Sequence, residues 1–90
     1  MKFQILHEIK GRMRIHIIQK RMTDAHADTL EYYLNQCNGI MSAKVYERTQ
    51  DAVINYVGDR KWLISLLQNA TYDSIKAPQS ALELSGRGTN

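Results

Sequence analysis

The sequence has a single cysteine, Cys37, which excludes a disulfide within the chain and any Cys-x-x-Cys metal site. No apolar run approaches the roughly eighteen residues that a membrane-spanning helix needs. The N-terminus lacks the long apolar core of a secretory signal, so we expect a cytoplasmic protein. Nucleophile-base patterns and glycine-rich phosphate loops are also missing, which predicts that the domain is not itself catalytic.

The composition indicates one small globular domain. Its 90 residues are 43% hydrophobic and 23% charged, enough for a single core between two layers. The net charge of +3 is too small to indicate a partner by itself. We expect the domain to span residues 1–77 and residues 78–90, which are rich in Ser, Gly and Thr, to be a tail or linker.

Polar and apolar residues alternate after Gly11, which predicts a strand with one buried face. Met13, Ile15 and Ile17 are expected to point into the core. Residues 3–7 are also strand-like. They either form a hairpin with the following strand or belong to one bent strand, and the sequence leaves both alternatives open.

Two helices are predicted from capping residues and apolar spacing. Thr23 is the expected N-cap of the first helix, which should end at Asn38-Gly39, and Asp59 is the expected cap of the second. Apolar residues recur at helical spacing: Ala27, Leu30, Leu34 and Cys37 in the first helix, and Leu63, Leu66, Leu67 and Ala70 in the second. Cys37 is therefore expected to be a small core residue.

Residues 43–48 and 52–57 are predicted to form a hairpin, and residues 74–77 a short last strand. The resulting order is strand, helix, strand, strand, helix, strand. Right-handed crossovers then place both helices on one face of an antiparallel four-stranded sheet and leave the other face open. This is the α+β ferredoxin-like βαββαβ sandwich, with room for an extra N-terminal strand.

Four short segments resemble heavy-metal-associated domains: Gly-Arg-Met-Arg-Ile-His at 11–16, Asn-Gly-Ile at 38–40, Val-Tyr-Glu-Arg-Thr at 45–49 and Ala-Val-Ile-Asn-Tyr at 52–56. The likeness runs from about Leu6 to Tyr72. It is greatest to a divergent branch at the N-terminus of bacterial heavy-metal P-type ATPases. The resemblance implies a cytosolic accessory domain of a plasma-membrane metal transporter. Other domains of the parent are then the expected partners, with a homodimer as a further option.

In the metal-binding members of that family, the loop before the first helix carries Met-x-Cys-x-x-Cys. Asp24 and Ala27 stand at the two cysteine positions here, so the resemblance implies that tight copper binding is lost. Met22, Asp24 and His26 offer a thioether, a carboxylate and an imidazole, which predicts at most a weak site for Zn(II) or Cd(II). Helix capping and simple exposure explain Asp24 and His26 without a metal, and this is the favoured interpretation.

Six side chains are predicted to lie on the open face of the sheet: Arg12, Arg14, His16, Lys44, Tyr46 and Arg48. Docking against another domain is the expected use of this basic face. Nucleic-acid binding is the alternative, because RNA-recognition modules use such a face. The matching strand at residues 51–57 lacks the paired aromatics on which those modules stack bases.

Other titratable residues have ordinary structural explanations. Asp24, Asp28 and Glu31 share one face of the first helix and are interpreted as solvated surface. His7 and His16 approach each other only if a hairpin forms in the right register. His16 is expected to be an exposed residue beside the arginines rather than a metal ligand.

Overall fold

The computed structural model describes residues 1–70. The predicted strand at 74–77 and the predicted tail at 78–90 lie outside these residues. The described elements follow the order β1 (Phe3–Ile9), β2 (Arg12–Ile17), α1 (Asp24–Gln36), β3 (Ile40–Tyr46), β4 (Asp51–Tyr56) and α2 (Arg60–Asn69). The predicted α+β class, with a four-stranded antiparallel sheet and two helices, is confirmed.

The sheet has the strand order β1-β2-β4-β3, and all neighbouring strands are antiparallel. Of the two alternatives for the N-terminus, the hairpin is the one that forms. Lys10 and Gly11 make its turn, where Gly11 adopts a φ of +82° that other residues rarely tolerate. The register shifts between Ile5 and His7, so Leu6 is an extra residue that bends β1 at this edge of the sheet.

One hydrophobic core fills the space between the sheet and the helices. Met13, Ile15 and Ile17 are fully buried in it, as their alternation with polar residues predicts. Both helices contribute to the same core and therefore cover the same face of the sheet. The remaining members are Met22, Ala27, Leu30, Leu34, Ala43, Val45, Ala52, Ile54, Tyr56, Leu63, Leu67 and Ala70.

The first helix begins at the predicted N-cap, Thr23, and ends at Gln36, just before the predicted stop at Asn38-Gly39. The hydroxyl of Thr23 accepts the N–H of His26 at 3.1 Å, and the ring of His26 accepts the N–H of Thr23, which completes a capping box. Cys37 is the C-cap. It is only half-buried and its thiol donates to the carbonyl of Tyr33, so the expectation that Cys37 belongs to the core is wrong. The helix ends one residue before Cys37, which turns that side chain away from the apolar stripe.

The second helix is capped by Asp59, whose carboxylate accepts the N–H of Lys61 at 3.0 Å. Leu63 and Leu67 are its buried residues, as the spacing predicts. The N-terminal ammonium of Met1 donates to the carbonyl of Gln68 and so joins the start of β1 to the end of α2. Within residues 1–70, neither helix has the length and apolarity that crossing a membrane requires.

Side chains of α1 close the outer edge of β3. Asn35 donates to the carbonyl of Ala43 at 3.1 Å and accepts the N–H of the same residue at 3.0 Å. Glu31 accepts the N–H of Val45 at 2.8 Å. The expectation that Asp28 and Glu31 are solvated is therefore wrong: Asp28 is buried, and Glu31 takes the place that a neighbouring strand would fill.

Candidate functional site

The open face of the sheet carries three rows of side chains that run across the strands. They follow from the antiparallel register, because residues paired on neighbouring strands point to the same face. The rows are His16, Asp51 and Tyr46; Arg14, Val53 and Lys44; and Arg12, Asn55 and Ser42. We call this surface the open face.

Five of the six residues predicted for the open face share it. Arg12 and Arg14 are exposed on β2, His16 beside them is half-buried, and Lys44 and Tyr46 are exposed on β3. Arg48 lies instead in the turn between β3 and β4, because β3 ends at Tyr46. A shallow groove at this side of the domain nevertheless brings Arg48 near the others. Its polar lining comprises Arg14, Lys44, Tyr46, Arg48, Thr49, Asp24 and Glu47.

The buried carboxylate of Asp51 organises one end of the open face. Its Oδ1 lies 2.9 Å from Nδ1 of His16, and its Oδ2 accepts a hydrogen bond from Nη2 of Arg14 at 3.1 Å. Burial raises the pKa of Asp51, but the hydrogen bonds from His16 and Arg14 outweigh it and hold the pKa below the usual aspartate value. Asp51 is therefore ionised at neutral pH.

An ionised carboxylate can only accept hydrogen bonds, so Nδ1 of His16 carries the proton in this contact. The other ring nitrogen, Nε2, remains for a partner. The side chain of His16 is 40% exposed, so a bound group can reach it. Asp51 thus holds the His16 ring and the Arg14 guanidinium in fixed positions at the surface.

Two cations of the open face have no ion-pair partner among residues 1–70. Arg14 is shared with Asp51, but no carboxylate within salt-bridge distance faces Arg12 or Lys44. Asn55 lies beside Arg12 on β4 and donates to the hydroxyl of Ser42 at 3.0 Å. The face therefore combines fixed hydrogen-bonding groups with uncompensated positive charge, which suits an acidic partner.

The predicted metal ligands lie in different environments. Met22 is only 2% exposed and packs in the core, whereas Asp24 is an exposed residue of the first turn of α1. The ring of His26 contacts Thr23 in the capping box and lies 3.4 Å from the amide of Gln19. Within the part of the chain that the structure describes, no three His, Cys, Asp or Glu side chains come close enough to share a metal ion. The weak Zn(II) or Cd(II) site stays a prediction.

The two histidines of the N-terminal hairpin do not pair with each other. His7 lies opposite Arg14, and His16 lies opposite Gln4. Both lie on the open face. The bulge at Leu6 places His7 there, because without the extra residue His7 would lie opposite the buried Met13. Sequence spacing gave no signal for this bulge.

Asp51 is the charged member of these rows that the sequence interpretation did not nominate, because the second strand of the hairpin was predicted to begin at residue 52. The alternation of buried and outward-facing residues along β4 does place Asp51 on the open face. Ala52, Ile54 and Tyr56 are buried toward the helices, so the same period places Asp51 beside Val53 on the opposite face.

Comparison of the chain with family models, curated proteins and solved structures gave no significant match. The interpretation of the open face therefore depends on its own geometry and charge.

Proposed function

We propose that this chain is a non-catalytic accessory domain of a metal-transporting P-type ATPase, and that it docks through the open face onto an acidic surface of its parent or of a partner. The uncompensated charge of Arg12 and Lys44 beside the fixed Arg14 carries the proposal. The four segments that resemble heavy-metal-associated domains supply the identity of the parent. One of them, residues 11–16, forms the β2 side of the open face.

The ferredoxin-like assignment is part of the same proposal. The described elements β2, α1, β3, β4 and α2 follow the order of the first five elements of a βαββαβ sandwich. Strand β1 lies at the edge beside β2, the position that the last strand of such a sandwich takes. Within residues 1–70 the N-terminal strand is therefore the fourth strand of the sheet rather than an addition to four.

Reading the gene beyond Asn90 tests the parentage. Hydrophobic spans followed by the Asp-Lys-Thr-Gly phosphorylation motif of P-type ATPases support the proposal, and a stop codon directly after Asn90 rejects it. The parent's remaining cytosolic domains, produced separately, then serve as the titrant for docking.

Docking is tested by NMR titration of the isotopically labelled 90-residue chain with those domains. We expect shift changes at the open face on β2 and β3, and about tenfold weaker binding for Lys44→Glu. Lys20→Glu is the matched control, because Lys20 is exposed and lies in the loop between β2 and α1. Shift changes confined to the helices, or equal weakening by both variants, contradict the proposal.

We propose that metal binding by this domain is weak or lost. The two positions that carry cysteine in metal-binding relatives are Asp24 and Ala27 here, and Met22 is buried in the core. Titration with Zn(II), Cd(II) and Cu(I) under reducing conditions tests this. Tight Cu(I) binding contradicts the proposal. Weak Zn(II) binding that His26→Ala leaves unchanged rejects the loop site but not the docking role.

Single-stranded RNA is the second candidate partner. The exposed ring of Tyr46 lies next to Lys44 and at the end of the row formed with His16, which favours stacking of one base beside a cation. Salt-dependent binding of a single-stranded RNA, weakened by both Tyr46→Ala and Lys44→Glu, is the expected result for this candidate. Absence of binding at low salt rejects it.

A further inference from the structure

Three turns meet at the end of the domain away from the N-terminus of α1. They are the β1–β2 turn at Gly11, the α1–β3 turn at Gly39 and the β4–α2 turn at Gly58. The N–H of Tyr56 donates to the carbonyl of Gly11 at 2.9 Å, and the N–H of Val57 donates to the carbonyl of Gly39 at 2.8 Å. These bonds hold the three turns together as one surface, which we call the three-turn end.

Large apolar side chains project from the three-turn end. Seven large hydrophobic side chains are exposed among residues 1–70, and four of them lie here: Ile9 at 53%, Met41 at 70%, Val57 at 58% and Trp62 at 36%. Trp62 rests on Gly39, where a Cβ would lie 2.8 Å from the ring. The turn therefore fixes the ring at the surface. Such clustering of exposed apolar groups is typical of a binding surface.

The charges around these apolar groups are mainly positive. Lys10 and Lys61 are exposed and have no salt-bridge partner within the described ranges. The carboxylate of Glu8 is bound by both nitrogens that Arg60 presents to it, which lowers the pKa of Glu8. The carboxylate of Asp59 faces the first turn of α2 as its cap. Arg60 therefore neutralises Glu8, and Lys10 and Lys61 outnumber the one remaining carboxylate, Asp59, so the local charge is net positive.

We propose that the three-turn end binds the surface of an anionic lipid bilayer. Tryptophan and aliphatic side chains partition into the headgroup region, and lysines beside them are attracted to anionic headgroups. A second copy fits this end poorly, because it would bring another surface with the same positive charge into the contact. This inference does not depend on the function proposed for the open face, although the two surfaces adjoin where Ile9 pairs with Arg12.

Trp62 is the only tryptophan of the chain, so its fluorescence reports directly on this surface. The full 90-residue chain is titrated at low salt with vesicles of phosphatidylcholine containing phosphatidylserine, and with vesicles of phosphatidylcholine alone. We expect a blue shift of the emission and co-sedimentation with the anionic vesicles. Equal binding to both kinds of vesicle, or no change with either, overturns the proposal.

Matched variants locate the binding surface. Lys10→Gln and Lys61→Gln should each weaken binding about fivefold, whereas Lys20→Gln, at the opposite end, should change it less than twofold. Met41→Ser should weaken binding, and Ile18→Ser, at the opposite end, should not. Circular dichroism confirms that each variant folds. Self-association that Met41→Ser abolishes, without vesicle binding, identifies a second copy as the occupant and overturns the proposal.

Discussion

Asp51 holds the ring of His16 across two neighbouring strands, with Oδ1 of the carboxylate 2.9 Å from Nδ1 of the imidazole. The second oxygen of the carboxylate accepts a hydrogen bond from Arg14. Protonating the carboxylate removes the charge that strengthens both hydrogen bonds. The stability of the fold is therefore linked to the ionisation of this one group.

We expect Asp51→Asn to lower the free energy of unfolding by about 1–2 kcal/mol at pH 7. The pKa of Asp51 is lowered in the folded protein, so its contribution is fully present above the usual value of 3.8 and is lost as the pH falls through the folded-state pKa. The difference in unfolding free energy between the unsubstituted chain and Asp51→Asn should thus shrink in acid. Urea unfolding measured across this range checks the trend, and a difference that stays constant in acid contradicts it.

Asn35→Ala is expected to destabilise the domain by about 1–2 kcal/mol and to promote aggregation. The variant leaves the N–H and the carbonyl of Ala43 without their partner at the outer edge of β3. Asn69→Ala is the matched control. Like Asn35, Asn69 donates to the carbonyl four residues earlier, but it bonds to none of the strands within residues 1–70. Chemical unfolding and light scattering distinguish the two variants, and equal effects contradict the edge-closing role.

Gly39→Ala and Gly58→Ala separate steric contact from backbone strain. Both glycines have a positive φ, of +99° and +110°, so both substitutions cost about 1–3 kcal/mol of strain. A Cβ at Gly39 also meets the ring of Trp62, whereas a Cβ at Gly58 meets open space. Gly39→Ala should therefore be the more destabilising and should alter the emission of Trp62. Equal unfolding free energies for the two variants contradict this contact.

Thr23→Ala should cost about 1 kcal/mol, because it removes the hydroxyl that accepts the N–H of His26 at the start of α1. His26→Ala should cost less, since its ring accepts the N–H of Thr23 over a longer distance of 3.4 Å. Thermal unfolding of the two variants checks this order. The reverse order indicates that His26 has a further role beyond the capping box.

Local rules predicted most of the fold. The alternation of β2 identified the buried residues, Thr23 and Asp59 identified the starts of both helices, and Gly39 marked the end of α1. Each of these signals depends on residues that are close in sequence. The starts of the helices, the end of α1 and the buried face of β2 therefore depend little on how the elements pack.

The features that were missed depend on contacts between distant residues. Whether residues 3–9 form a hairpin is decided by pairing with β2, and the bulge at Leu6 appears only in that register. Glu31 was predicted to be solvated because the sequence does not reveal where α1 lies along β3, and this position brings Glu31 to the N–H of Val45. Asp51 was assigned to a turn since strand ends are poorly marked by residue type, although its alternation with Ala52 favoured the open face.

The closed edge of β3 limits how copies of this domain can join. Strand β1, at the other edge of the sheet, has no second neighbouring strand among residues 1–70. If identical copies pair through their sheets, β1 meets β1, and each resulting pair then ends in two β3 edges that α1 already occupies. Strand pairing between these edges therefore favours a pair of copies over open-ended growth.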